Sequence, residues 1–306
     1  MQAGARSTHS DRAGLLYALA GFCTLSIGDA IVKSMPGLWP APAMAATRYF
    51  VGSAILAAML ARAEGLSALR LPRDPIQWVR GIAISCSAMG MFLAVWLMPL
   101  ATATTIAFTQ PMITAILAAV ILGEKARPST WIATLAAFGG VFLALRPNFA
   151  TAGWGVLFPL LGATGMSVTI IANRVATGRA SNLALQYYMS VTAMIFLALA
   201  TVTMHLFGPA NFHVHATDWT VIARCALIGV TATFAQWLIF MGTVKAGAGT
   251  IAPMTYGQLL MATMFGYLFF GDTPDALSFL GAAIIIGAGL YLWWAGRMKA
   301  PPKSAG

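Results

Sequence analysis

Ten stretches of roughly twenty apolar residues, divided by short joins that hold nearly all the charge, dominate this chain. A helix needs about 20 such residues to cross the hydrocarbon of a bilayer. The runs fall at 15–35, 42–61, 76–98, 102–122, 129–145, 154–174, 183–206, 219–243, 250–270 and 276–295. Pro99, Pro128, Pro147 and Pro209 lie in the joins, where a missing N–H does little harm. The short joins make sequential spans antiparallel neighbours, and no stretch is long enough for a separate soluble domain. With 59% hydrophobic residues and only 8% charged, against about 25% charged in soluble domains, the chain needs lipid as its solvent. The expected fold class is therefore an all-α integral membrane protein of ten transmembrane helices.

The cations orient it. With the N terminus inside, 14 of the 18 Lys and Arg fall in or beside cytoplasmic segments. Lys33, Arg146 and Arg224 fall outside, and Arg48 lies within the second span. Positive-inside bias thus puts both termini in the cytoplasm, as an even number of spans requires. The net charge of +10 reflects these joins; without a basic stripe interleaved with aromatics, it does not point to nucleic acid. The first dozen residues are polar, and the run after them is longer than a signal peptide, so it reads as a retained first span. Cys23, Cys86 and Cys225 are isolated in apolar runs and suggest neither a disulfide framework nor a zinc site.

The two halves repeat. Gln110, Gly123-Glu124, Trp131 and Gly139 recur at an offset of 148 as Gln258, Gly271-Asp272, Phe279 and Gly287. Gly14-Leu15-Leu16-Tyr17 parallels Gly155-Val156-Leu157-Phe158 at an offset of 141, a register that sets Lys33 over Arg174. Each half, 1–147 and 148–306, holds five spans, so the second must insert upside down. Inverted repeats around a midplane site are an architecture of secondary transporters.

Several of these residues resemble the drug/metabolite transporter superfamily in its ten-helix EamA-type branch. They are Asp29-Ala-Ile-Val-Lys33 late in the first span, Arg48-Tyr49-Phe50 early in the second, and Gln110-Pro111 followed by Leu122-Gly123-Glu124-Lys125. The likeness runs from about Gly14 to Gly296; Leu259 departs from it, standing where the second repeat commonly has proline. The resemblance implies alternating access without ATP hydrolysis. It also implies small organic substrates such as amino acids, vitamins, nucleotide-linked metabolites or drugs, with amino-acid exporters of the YddG type as a model. The expected setting is the inner membrane, the expected partners are a small-molecule substrate and the lipid bilayer, and a monomer is compatible with the sequence.

Asp29 is the one acid within a span, about 21 Å from the inner edge, and Arg48 lies at about the same depth. Lys33 is one turn beyond Asp29. Intramembrane charges face a cavity or one another. Two readings of Asp29, Lys33 and Arg48 stand side by side: an outer-side cluster that binds or gates substrate, or a structural ion pair between the first two helices. Tyr49 adjoins this cluster. Gln110, Gln236, Tyr256 and Gln258, with Trp96 and Trp237, are mid-span candidates for a cavity wall, because amides and flat rings suit a ligand of mixed character. Interhelical hydrogen bonding is the alternative for the amides. Pro111 is a candidate hinge. Gly139-Gly140 and Gly287 with Gly289 suggest close packing of the fifth and tenth spans. Glu124 and Asp272, ending equivalent spans, are expected to be solvated. No catalytic residue, metal site or cofactor is expected: GxxxxGK[ST] and HExxH are both absent. A passive channel and a membrane-embedded enzyme are the rival classes.

Overall fold

The computed structural model describes residues 2–121, 132, 135–136, 139–140, 143, 153–176, 178–246, 254, 256–273 and 275–297. Most of the expected fifth span lies outside them. All regular structure among the described residues is helical, with no strand: α1 (Gln2–Lys33), α2 (Ala41–Glu64), α3 (Pro75–Leu97), α4 (Leu100–Ala107), α5 (Gln110–Ile121), α6 (Leu157–Ala176), α7 (Asn182–Phe207), α8 (Trp219–Ala246), α9 (Tyr256–Phe270) and α10 (Ala276–Arg297). Six of them are long and apolar enough to cross a bilayer, and two shorter apolar helices lie at 257–270 and 279–288.

Local signals start and stop these helices. The Asp74 carboxylate accepts the Ile76 N–H at 3.1 Å and caps α3, with Pro75 at its first position. The Ser181 hydroxyl accepts the Ala184 N–H at 3.0 Å and caps α7. Both leave fewer orphan donors at a helix start.

The fourth span departs from the expected single helix. It breaks at Phe108 and Thr109, immediately before Pro111, into α4 and α5. Proline has no N–H to give the carbonyl four residues back, so a regular helix cannot run through it with every bond made. Just past the break, the Ser167 and Thr114 hydroxyls both donate to the Gln110 carbonyl at 2.9 Å, which fastens the start of α5 to α6.

α1 packs along α8 and α9, α3 along α6 and α7, and α2 between α7 and α8. The pieces α4 and α5 lie on α6, and α4 also meets α9 and α10. Without a hydrophobic drive in lipid, close backbone approach carries much of this association. A Cβ on Gly90 would come 2.5 Å from the Phe158 carbonyl oxygen across the α3–α6 contact. One on Gly242 would come 2.7 Å from the Gly14 oxygen across α1–α8. Gly140 meets Gly281 and Ile285 of α10, as the glycine pattern suggested, whereas Gly287 faces open space.

The windows of the six spans are only 22% to 56% buried, with Leu16, Phe50, Leu199 and Phe234 all turned outward. Such an apolar girdle requires lipid around it.

Candidate functional site

A cavity of about 610 Å³ lies among α1, α2, α3, α6, α7, α8 and α9. Its two ends differ. Toward the end where α2 finishes and α7 begins, its wall includes the exposed, polar Asn182 beside Met59, and this polar end is its mouth to water; the exposed lining residues of α8, Val230, Phe234 and Trp237, are apolar and suit lipid. At the opposite end a packed cluster closes over it, including Val32, Met35, Met44, Phe92, Val95 and Leu100, each at most 2% exposed.

The cavity wall carries one acid and one base. Asp29 accepts the Gln258 amide N–H at 3.0 Å, and the Ser26 hydroxyl donates to the Gln258 carbonyl at 2.8 Å, which fixes the start of α9 against α1. The Arg48 guanidinium stands 5.1 Å over the Tyr49 ring and 5.7 Å over the Phe92 ring. Cation–π contact substitutes in part for lost hydration. Among the described residues Arg48 makes no ion pair, so the two opposite charges face the cavity without direct contact.

The rest of the wall is soft and apolar with scattered amides. Met59, Met91, Met166 and Met189 line it with Phe234 and Trp237. Thioethers adapt to irregular shapes and stack well on rings. The side-chain amides of Asn182, Gln186 and Gln236 also line it, and they have no hydrogen-bond partner among the described residues. Their donors and acceptors are free for a ligand or water.

Of the sequence candidates, Asp29, Arg48, Tyr49, Gln236, Trp237 and Gln258 are therefore in the cavity wall. Lys33 is not: the expected charged trio is divided, because Lys33 turns to Asp272 at the sealed end. Trp96 is also there, its indole N–H donating to the Val32 carbonyl at 2.8 Å. Gln110 bonds within α5, its amide donating to Thr114 at 3.1 Å. The side chains of Tyr256 and Pro111 lie outside the described residues.

Asp272 corrects the expectation of a solvated helix end. Its side chain is 16% exposed, and one oxygen takes both the Lys33 ammonium and the Leu100 N–H, the latter at 3.1 Å. Gly271, with φ +66°, turns the chain back so that the Asp272 N–H reaches the Gly266 carbonyl at 3.0 Å. Only glycine takes that conformation without strain. Arg80 is buried as well. Placed by sequence with the cytoplasmic cations, it is 2% exposed inside α3, donating to Asn173 at 2.6 Å, to the Leu185 carbonyl at 3.0 Å and to Gln77.

At the mouth, Arg179 in the α6–α7 turn pairs with Asp74 at 2.8 Å. Burial would raise the Asp74 carboxyl; the Arg179 hydrogen bond, the Ile76 N–H and the Arg179 charge outweigh it and hold it below the usual carboxylate range.

The model of the EamA-like transporter family matches residues 12–146 and 153–294. Over 291 residues the chain is 25% identical to an S-adenosylmethionine uptake transporter of Rickettsia prowazekii, covering 95% of both chains. It is 26% identical to a riboflavin transporter of Rhizobium johnstonii over 70% of this chain and 64% of that one. It is 25% identical to a pseudopaline exporter of Pseudomonas aeruginosa, over 92% and 96% respectively. A protein crystal structure shares the fold at a TM-score of 0.59, with 22% identity, covering 96% of this chain and 99% of that one.

Proposed function

The chain belongs to the EamA-like transporter family, and from that premise we propose a secondary carrier that exports amino acids, neutral or aromatic, by alternating access across the inner membrane. As a member of that family it is a small-molecule transporter and not an enzyme. The observation that carries the finer reading is the cavity with two separate poles of opposite charge. Asp29 suits an ammonium, Arg48 a carboxylate, and the methionine and aromatic walls suit an apolar side chain. A zwitterion engages both poles and leaves neither charge buried alone.

The inverted repeat, 1–147 against 148–306, has three supports. The family model matches one stretch on each side of that boundary. The spaced identities run in common order through the chain. The helix contacts pair off as well: α1 on α8 mirrors α6 on α3, α3 on α7 mirrors α8 on α2, and α1 on α9 mirrors α6 on the α4–α5 pieces. With both termini cytoplasmic, the mouth faces the cytoplasm, the state in which an exporter loads. S-adenosylmethionine, named for one relative, itself carries an α-amino and an α-carboxylate group.

Counterflow in proteoliposomes tests this reading. Vesicles preloaded with unlabelled amino acids should accumulate labelled threonine, methionine or phenylalanine saturably. Asp29→Asn and Arg48→Gln should each lower kcat/KM by about tenfold or more, since each removes a charge-assisted contact. The names of two relatives favour a second reading, import of a vitamin or nucleotide-like metabolite. Counterflow with riboflavin or S-adenosylmethionine and none with amino acids would select it. A non-saturable flux would make the protein a channel.

A further inference from the structure

The sealed end holds the charge that the cavity does not use. Lys33, the last residue of α1, reaches across to Asp272, just past α9. The same carboxylate oxygen accepts the Leu100 N–H at the start of α4, which has no side-chain cap of its own. The Lys33 ammonium also lies 3.5 Å from the Met98 carbonyl and 5.2 Å from the Phe270 ring. One ion pair thus ties α1, the end of α3, the start of α4 and the α9–α10 turn together. The two side chains are 12% and 16% exposed, so little water competes with them. Directly beneath lies the apolar cluster that closes the cavity.

α1 and α9 meet at a second polar point, in the cavity itself, where Asp29 holds Gln258. Both ties lace the same two helices, and only the cavity tie is within reach of a substrate.

From this geometry we propose that Lys33 and Asp272 form the latch of the sealed end, and that a substrate ammonium releases it by drawing Asp29 away from Gln258. The proposal rests on the alternating-access reading and deepens it. With Asp29 drawn from Gln258, the Ser26 hydroxyl still holds the Gln258 carbonyl, but the Lys33–Asp272 pair is the charged tie left between α1 and the end of α9, and its separation opens the opposite side. Nothing covalent changes; a carboxylate exchanges an amide donor for an ammonium, and an ion pair parts into entering water.

Cys225 is a native reporter. It is fully buried in the closing cluster, to which Val32 and Val221 also belong. Maleimide reacts with the thiolate, which forms only where water enters. With Cys23→Ala and Cys86→Ala, Cys225 is the sole thiol. Its labelling rate in nanodiscs should rise about tenfold in Lys33→Ala and in Asp272→Asn, a shift of about 1.4 kcal/mol toward the open state. The exchange Lys33→Asp with Asp272→Lys should label more slowly than either single variant. Its rescue should be incomplete, because the ammonium placed beside α4 cannot accept the Leu100 N–H. Single variants that label like the parent, or an exchange no slower than the singles, would overturn the latch.

If a single variant does not yield folded protein, spin labels at Leu38 and Thr273, both exposed at this end, give the answer in the intact pair. Their distance distribution should broaden outward when methionine is added to vesicles that carry out methionine counterflow. That broadening should be lost in Gln258→Glu with Asp29→Asn. An unchanged distribution during demonstrated transport would sink the proposal. Labelling by maleimide needs no substrate, so failed counterflow with a raised Cys225 rate discards the amino-acid reading and keeps the latch.

Discussion

Two ion pairs sit at opposite ends of the bundle, and they are built for different work. Arg179 and Asp74 at the mouth have side chains 49% and 27% exposed, and they join two loops. Lys33 and Asp272 at the sealed end are far more shielded, and they join a helix to a turn over a packed apolar cluster. Water screens the first pair and leaves it worth little. The second pair has given up much of its hydration, so removing one partner leaves the other charge exposed to a poor solvent. A cavity open at one end therefore needs strong polar closure only at the other.

Deleting one cation at each end tests the contrast most severely. Lys33→Ala should destabilise the protein by about 3 kcal/mol, toward the lower bound for breaking a shielded pair, because Asp272 keeps the Leu100 N–H. Arg179→Ala should cost less than about 1 kcal/mol. Reversible unfolding in mixed micelles reads both, and equal losses would erase the distinction between the ends.

Much of this architecture is legible in the sequence because lipid imposes a length and a polarity on every span. The ends of α2, α3, α7, α8 and α10 fall within a few residues of the apolar runs. Depth along a helix is legible too, and it singles out Asp29 and Arg48 together. Direction around the helix is not. Lys33 shares a face with Asp29 by spacing, yet a flexible four-carbon stem lets it reach Asp272 instead. Trp96 and Gln110 lie at suitable depths but point to the sealed end and along α5. The four methionines of the cavity are invisible as a group because each reads as ordinary apolar filler. Asp272 has one signal in the sequence: the repeat register sets Lys33 over Arg174 and Asp272 over Glu124, so a cation and an acid recur at matching span ends.

The sealed end also carries neutral polar closure, a weaker component of the same contrast. The Trp96 indole donates to the Val32 carbonyl, which also accepts the Met35 N–H at 3.1 Å. Trp96→Phe should therefore leave no orphaned carbonyl and cost only about 1 kcal/mol. It should raise Cys225 labelling by less than Lys33→Ala does. A larger rise would make the indole, and not the ion pair, the main fastening.

The smallest expected effect belongs to the mouth and depends on pH. Asp74 titrates below its ordinary value in the folded protein, chiefly through Arg179 acting against burial. A depressed carboxylate binds fewer protons folded than unfolded, so its contribution to stability is complete above the unfolded value of about 3.9. That contribution falls away as pH drops through this value and then through the lower folded one. Asp74→Asn should thus be slightly less stable than the parent at neutral pH, by less than about 1 kcal/mol, and the gap should close under acid. The Ile76 N–H retains an amide acceptor in that variant, which isolates the charge from the helix cap. A gap that persists at low pH would assign the loss to capping geometry, and the mouth would then be fastened by its helix start and not by its ion pair.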